Sequence, residues 1–410
     1  MYSNIKNFQW FRLTAKARTA VLLFAAGLAS MVTVRPAGAQ LSGRCPVVSE
    51  RSLDSQAYPL LPPDRDYIPD DAVHPPFVSS ARRLLSEPEL PSAPLDWIQH
   101  SLDWTNFILA KFPPQLSEPP ERREALLRLD DVLHLEDAPK FDAVERFYRS
   151  RIEDAIAEIE KTKVTKGVRI WKLYNHGFFI RTPSVSFTFD IVSGTEQPGF
   201  SLSSDQLRRL VAQSDITFIS HWHPDHADKR VARLFLDAGK SVFAPPGLWS
   251  DDSDFSTRLT YPERDGRQRS IPYVSAGRTG HLEVVTYAGH QGLDVLNNVY
   301  LITTNENFTV IHTGDQYAPT PDFSDYKWLD KISTQHQVDV LLVNSWTPSL
   351  KRIAEGARPK LLITGHEDEM SHGIAHREGY DQTYDRLFCV PFPYLVMTWG
   401  ESFSYHANDF

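Results

Sequence analysis

A six-residue run rich in metal-binding side chains constrains this chain more than any other part of its sequence. The run His221-Trp222-His223-Pro224-Asp225-His226 directly follows the apolar stretch 216–220, which predicts a buried strand. Imidazole nitrogen suits zinc and similar ions, and a carboxylate adds a harder oxygen ligand. The run therefore predicts a metal site at a strand end rather than a patch of surface histidines.

Further ligand candidates occur later in the chain, each after a stretch that predicts a strand. They are His290, Asp315 and His366, and they follow the stretches 282–287, 308–311 and 361–363. A glycine directly precedes each of them, which allows the backbone to turn tightly and direct the side chain toward a shared site. A single histidine is more often structural than a ligand, but this ordered set favours a metal centre.

The alternation of strands and helices from residue 167 onward predicts a layered α/β domain. An opening β-meander at 168–190 is followed by helices at 205–212 and 229–238 between short strands. Residues 247–280 are polar, and we interpret them as an irregular insertion that could act as a lid beside the site.

Glycine and proline divide the remainder of the chain. Between Gly43 and Gly167 there is no glycine, whereas fifteen prolines lie between Pro46 and Pro139. We predict three segments: a signal peptide at 1–39, a proline-rich and helical N-terminal region at 40–166, and a catalytic domain at 167–410. Within the second segment, the periodicity predicts helices at 97–111, 121–133 and 141–161, the last with an apolar face that docks on the next domain.

The N-terminus has the pattern of an export signal. Basic residues precede the apolar run 20–34, and Ala37-Gly38-Ala39 supplies a cleavage pattern before Gln40. We predict a periplasmic or secreted protein with no stable membrane span after cleavage, with an uncleaved anchor as the alternative. Cys45 and Cys389 could form one disulfide in an oxidising compartment or remain two free thiols. The net charge of −9 and the lack of a basic run disfavour nucleic acid as a partner.

The ligand pattern from about residue 168 to residue 405 resembles the metallo-β-lactamase-fold hydrolase superfamily. The resemblance rests on Asp190, the His-x-His-x-Asp-His run at 221–226, His290, Asp315 and His366, in that order. It implies a four-layer αββα sandwich with the site at one edge of the two sheets. It also implies that His221, His223 and His290 bind one metal, that Asp225, His226 and His366 bind a second, and that Asp315 bridges both. Asp190 would orient a ligand.

The chemistry implied is hydrolysis with two divalent ions, with zinc as the expected metal and manganese or iron as alternatives. Two such ions lower the pKa of a bridging water, and the resulting hydroxide attacks a carbonyl or phosphorus, with Asp315 and Asp225 as the catalytic carboxylates. The relatives that degrade β-lactams have Cys or Ser where this chain has Asp315, so a true β-lactamase is disfavoured.

Three stretches are most similar to the ascorbate-6-phosphate lactonase-like branch, which neighbours the N-acyl-phosphatidylethanolamine phospholipase D type. They are residues 174–181, 242–246 and 359–366. We therefore expect a small or lipid-like ester, lactone or phosphodiester as the substrate. The alternatives are a nuclease or a non-catalytic metal-binding protein on the same fold. A diiron redox protein is disfavoured because such relatives usually have Glu where this chain has His223. The sequence leaves the oligomeric state open.

Overall fold

The computed structural model describes residues 93–194, 201–275, 277–320 and 322–409. The predicted signal peptide at 1–39, the proline-rich stretch up to residue 92 and Cys45 lie outside these residues. Cys389 is half-buried, and a disulfide between it and Cys45 stays a prediction. In the described part of the chain, no helix combines the length and the hydropathy that a membrane span requires.

The described chain begins with helices that match the predicted periodicity. They are α1 (Ala93–Lys111), α2 (Pro120–Leu133) and α3 (Asp142–Lys161). Proline at the first position of α2 is compatible with a helix start because that N–H has no intrahelical partner. The predicted apolar face of α3 is buried, including Phe147, Ile152 and Ile156. These side chains share a core with Trp171 and Trp399 of the following region, so the helices pack against it.

A mixed sheet of six strands comes next. In spatial order it consists of β13 (Ser402–Tyr405), β1 (Val168–Lys172), β2 (Phe178–Arg181), β3 (Ser186–Phe189), β4 (Ile216–Phe218) and β5 (Ser241–Phe243). Neighbours from β13 to β3 are antiparallel, whereas β3, β4 and β5 are parallel. The parallel connections contain α4 (Ser204–Gln213) and α5 (Lys229–Asp237).

A second mixed sheet has seven strands. In spatial order it consists of β12 (Tyr394–Leu395), β11 (Leu361–Gly365), β10 (Val340–Asn344), β9 (Thr309–His312), β8 (Val295–Thr303), β7 (Arg278–Gln291) and β6 (Asp265–Ser275). The strands from β12 to β9 are parallel and the rest are antiparallel. Further helices are α6 (Ser253–Ser256), α7 (Tyr326–Leu329), α8 (Ile332–Gln335), α9 (Leu350–Ala357) and α10 (Tyr380–Leu387).

The two sheets share one hydrophobic core. Ile170, Phe187 and Phe218 of the first sheet belong to the same buried cluster as Tyr300 and Leu342 of the second. The side chains on the opposite face of these strands belong to a different buried cluster, which also contains helix residues. This alternation follows from the two-residue period of a strand. The mixed α/β architecture with two sheets agrees with the predicted metallo-β-lactamase fold, while the four-layer order stays a prediction.

The interpretation of residues 247–280 as an irregular insertion is wrong for residues from 265 onward, whereas residues 247–264 contain turns and one short helix. Residues 265–275 form the edge strand β6, which pairs with the long strand β7 in a hairpin. The sequence of β6 is polar because it lies at the sheet edge, where much of the strand is exposed. Pro272 is tolerated because an edge strand leaves one side of its backbone unpaired.

Candidate metal centre

The predicted ligands lie where strands of both sheets end. β3 and β4 are parallel neighbours, so Asp190 and the run 221–226 follow adjacent carboxyl ends. β9, β10 and β11 are parallel to one another in the second sheet, and Asp315 and His366 follow β9 and β11. The direction of the strands therefore brings ligands from distant parts of the sequence to one place.

One buried cluster contains four of the predicted ligands. The ligand atoms of Asp225, His226, Asp315 and His366 all lie within 4.8 Å of one another. The Nε2 atom of His226 is 3.2 Å from Oδ2 of Asp225 and 3.2 Å from Oδ1 of Asp315. The Nε2 atom of His366 is 3.1 Å from Oδ2 of Asp225 and 3.4 Å from Oδ2 of Asp315. Both imidazoles thus face the same pair of carboxylates.

A second cluster shares Asp315 with the first. The ligand atoms of His221, His223 and Asp315 lie within 4.8 Å of one another. The Nε2 atom of His221 is 3.6 Å from Oδ2 of Asp315. Asp315 therefore contributes a carboxylate to both clusters. Its role as a bridge between two metal ions stays a prediction.

The side chains of both clusters fit divalent cations. The Nε2 atoms of His221, His226 and His366 are buried, and none makes a well-aligned hydrogen bond, although carboxylate oxygens lie between 3.1 and 3.6 Å from them. A buried polar atom without a partner costs about 1–3 kcal/mol, so three of them around shared carboxylates indicate that a cation completes the site. Mixed imidazole and carboxylate ligands admit zinc, manganese or iron.

His290 is the predicted ligand that belongs to neither cluster. It lies beside the loop that carries Asp315. The backbone N–H of Tyr317 donates to the carbonyl of His290 at 2.9 Å. The Nδ1 atom of His290 donates to Asp325, at 3.0 and 3.1 Å from the two carboxylate oxygens. This bond fixes the proton on Nδ1 and leaves Nε2 as the ligating nitrogen. Metal binding by His290 stays a prediction.

Hydrogen bonds that Asp190 and Ser220 accept fix the orientation of two further imidazoles. Asp190 accepts from Nδ1 of His226 at 2.8 Å and from the backbone N–H and hydroxyl of Ser220 at 2.7 and 2.6 Å. The Ser220 oxygen then accepts from Nδ1 of His221 at 3.0 Å. Both imidazoles therefore present Nε2 to the clusters, and Asp190 has the orienting contact expected of it.

Two asparagines hold the shared carboxylates in place. The Nδ2 atom of Asn344 donates to Oδ1 of Asp315 at 2.6 Å, and Nδ2 of Asn175 donates to Oδ2 of Asp225 at 2.9 Å. Asn175, Ser220 and Asp325 are not among the residues that the sequence predicts for the site. Their only sequence signal is a position next to a strand end or a ligand, and many polar residues share that signal.

Close packing explains two of the glycines that precede ligands. A Cβ atom on Gly365 would lie 2.1 Å from Nδ1 of His176, and one on Gly314 would lie 2.2 Å from Oδ1 of Asn297. Gly314 also has a φ of 52°, and His366 itself has a φ of 76°. A non-glycine residue in this left-handed region is strained, and such strain often occurs at functional sites.

The carboxylates and imidazoles of the clusters shift each other's pKa values. Burial alone would raise the pKa of Asp315, but the imidazoles of His226 and His366 outweigh it and hold the pKa well below its ordinary value. Burial would lower the pKa of His366, but the carboxylates of Asp315 and Asp225 raise it to about 10. A divalent cation competes with these protons for the same nitrogens, so metal binding is expected to release protons.

Apolar side chains surround the ligands. Trp222 is 50% exposed, and its ring is 4.5 Å from that of His223. Leu296, which is 37% exposed, pairs with His290 across β7 and β8, so both side chains lie on the same face of the sheet. The ring of Trp346 is 6.1 Å from that of His366. The surroundings of the clusters are thus apolar and aromatic.

We predict that Asp325→Asn weakens metal binding about 10- to 100-fold, the range found for hydrogen-bond partners of ligands. The substitution keeps the shape of the side chain but removes the charge that orients His290. Competition with a chromophoric chelator measures the affinity. Asp322→Asn is the matched control because Asp322 is exposed and lies three residues away. Equal affinities of the two variants would contradict an orienting role.

No family model matches the chain, and no curated protein matches it. Solved structures do match. A metallo-hydrolase from the archaeon Ignicoccus hospitalis is 16% identical, with 59% of this chain and 99% of that chain covered and a TM-score of 0.44. A possible metal-dependent hydrolase from Veillonella parvula is 13% identical, with 58% and 100% covered and a TM-score of 0.42. A diiron β-hydroxylase from Streptomyces venezuelae is 14% identical, with 65% and 63% covered and a TM-score of 0.43. At such low identities and TM-scores, the chemistry of this chain has to be inferred from its own side chains.

Proposed function

We propose that this protein is a hydrolase that depends on two divalent metal ions. The observation that carries the proposal is the shared position of Asp315 in two ligand clusters. His221, His223 and His290 would hold one ion, and Asp225, His226 and His366 the other. In this proposal, the two sheets and the helices that cover them form a four-layer αββα sandwich.

Two bound divalent ions would make a nucleophilic water available at neutral pH and would stabilise negative charge on the substrate. The residues of the chain perform the remaining tasks. Asp190, Ser220 and Asp325 keep three imidazoles in the ligating tautomer. Asn344 and Asn175 hold the carboxylates of Asp315 and Asp225, and Asp225 would accept the proton released during attack.

The proposed substrate is a small or lipid-like ester, lactone or phosphodiester, as in the lactonase-like and phospholipase D-like branch. The exposed apolar side chains of Trp222 and Leu296 support a substrate with an apolar group next to the bond that is broken. Burial of such a group contributes roughly 25 cal/mol per Å² of apolar surface. A nuclease would instead need basic groups for phosphate contacts, and the net charge of −9 does not favour them.

The test is a substrate panel assayed with metal-loaded full-length protein. We expect turnover of lactones, esters or phosphodiesters with apolar groups, loss of activity on metal removal and recovery on metal addition. β-Lactams are expected to remain intact. A chain that binds two ions but hydrolyses no member of the panel would favour the non-catalytic alternative. Salt-dependent RNA binding with RNA cleavage would favour a nuclease.

Export to the periplasm or the medium is part of the same proposal. Its support is the sequence pattern at residues 1–39. N-terminal sequencing of protein recovered from the producing cells tests it, and we expect the mature chain to begin at Gln40. A chain that retains residues 1–39 and sediments with membranes would instead support an uncleaved anchor.

A further inference from the structure

A second group of metal-ligand side chains lies outside the Asp315 clusters. It consists of Asp130 and His134, at the C-terminal end of α2, and Asp368, in the loop after β11. One ligand atom of each lies within 4.8 Å of the others. The group shares no residue with the clusters around Asp315. It joins the N-terminal helices to the loop that carries His366.

Asp368 is the residue of this group that most clearly lacks a partner. It is 0% exposed, and neither of its carboxylate oxygens has a hydrogen-bond partner. The nearest basic atom is Nδ1 of His134, at 3.5 Å from Oδ1. An ionised carboxylate in such a place is very costly, so either a proton or a nearby cation has to neutralise it.

The cationic side chains nearby are engaged elsewhere. In the described part of the chain, no Lys or Arg nitrogen lies within 4.0 Å of the carboxylate of Asp130 or Asp368. Lys172 pairs with Glu367. Arg377 donates to the carbonyls of His372, Leu133 and Leu135. The two buried carboxylates therefore have one imidazole beside them and no Lys or Arg nitrogen of the described residues in direct contact, although the charge of Arg377 still acts on Asp368 from a longer distance.

The hydrogen bonds of His134 direct its lone pair toward oxygen atoms. Its Nε2 atom donates to the carbonyl of Arg377 at 2.6 Å. Its Nδ1 atom then faces the carbonyl oxygen of Asp130 at 3.0 Å and Oδ1 of Asp368 at 3.5 Å. Metal–ligand bonds of about 2.0–2.4 Å place neighbouring ligand atoms roughly 3–3.8 Å apart. The 3.5 Å between Nδ1 of His134 and Oδ1 of Asp368 matches a shared cation, and the carboxylate of Asp130 lies within 4.8 Å of both.

Asp130 is held rigidly in a position suited to the same cation. Its carboxylate oxygens accept from the backbone N–H groups of Tyr380 and Asp381 at 2.8 and 2.9 Å, at the start of α10. Each oxygen retains another lone pair, since a carboxylate has about four acceptor positions. The positions of the three side chains are therefore set by α2, α10 and the β11 loop.

We propose that Asp130, His134 and Asp368 bind a third divalent cation, of the zinc or manganese class. Two carboxylates and one imidazole form a mixed oxygen and nitrogen set that suits these ions, whereas calcium prefers six to eight oxygen ligands. The ion would have a structural role, because both carboxylates are buried and His134 is half-buried. It would tie α2 to the loop that follows His366 and so help to hold that ligand in place.

The test counts metal ions in full-length protein by mass spectrometry, after saturation with Zn²⁺ or Mn²⁺ and removal of loosely bound metal. His134→Gln and Asp368→Asn are each expected to contain one ion fewer per chain than the wild type. His100→Gln should match the wild type, because His100 is exposed on α1. We also expect chelation to lower the melting temperature less in His134→Gln than in the wild type.

Equal metal contents in the wild type, His134→Gln and Asp368→Asn would overturn the proposal, and the two carboxylates would then share a proton. If His134→Gln does not fold, the count in Asp368→Asn decides. The outcome is independent of the proposed hydrolase. An inactive protein could still lose one ion through His134→Gln, and an active one could lose none.

Discussion

Asp315→Ala is expected to remove both ions of the proposed centre and to abolish hydrolysis. Asp315 is the residue of the described chain that belongs to both ligand clusters. Its loss would leave the imidazoles of His226 and His366 without one of their two facing carboxylates. We expect the fall in kcat/KM to exceed the roughly 100-fold upper range for hydrogen-bond partners of ligands. Metal counting and assays on the best substrate of the panel measure both effects.

Two variants make this experiment specific. His366→Ala affects one cluster, so it is expected to lose one ion and to retain the other. Asp251→Ala removes an exposed carboxylate and should behave as the wild type. If Asp315→Ala retained two ions and full activity on every substrate, the dinuclear proposal would be wrong.

Glu401→Gln is expected to destabilise the protein by up to about 3–5 kcal/mol, the cost of breaking a buried ion pair, because Glu118, at 3.7 Å from Arg122, compensates only in part. Glu401 accepts two hydrogen bonds from the guanidinium of Arg122, at 2.8 and 2.5 Å. Arg122 is 1% exposed and Glu401 is 6% exposed. The pair joins α2 to the segment before β13. Denaturant unfolding of the metal-saturated protein at neutral pH measures the loss.

The same pair predicts a dependence of stability on pH. Burial would raise the pKa of Glu401, but the charge of Arg122 outweighs it and lowers the pKa. A lowered carboxyl pKa contributes stability above the unfolded value of about 4.3, and this contribution is lost as the pH falls through the folded value. Glu401→Gln should therefore reduce the loss of stability on acidification.

The control for this prediction is the exposed pair of Lys351 and Glu355, whose charged atoms are 3.8 Å apart. Glu355→Gln is expected to change the free energy of unfolding by less than about 1 kcal/mol, because water screens exposed pairs. Similar costs for the Glu355 and Glu401 substitutions would contradict a dominant role of burial. The double variant Arg122→Met with Glu401→Gln tests the coupling between the two side chains. The coupling is confirmed if the double variant loses less free energy of unfolding than the two single variants lose in sum.

The sequence predicted the parts of the fold that depend on local patterns. Apolar periodicity placed α3 within one residue of its observed start, because burial of one helix face repeats along the chain. Apolar periodicity did not predict β6. This strand is exposed at the sheet edge, so its sequence is polar and resembles that of a surface loop. The neighbouring strand β7 is longer than the predicted stretch 282–287, because it also pairs with β6 in the hairpin.

By itself, the sequence determined the side chains of the candidate centre. The spacing of His221, His223, Asp225 and His226 and the positions of Asp315 and His366 after strands are local features, and chain direction within a sheet brings strand ends together. Only the tertiary structure decided which groups orient them. The contacts of Asp325 with His290, of Asn175 with Asp225 and of Asp368 with His134 join segments far apart in sequence. Such contacts depend on how elements pack, and no local pattern of residues encodes that packing.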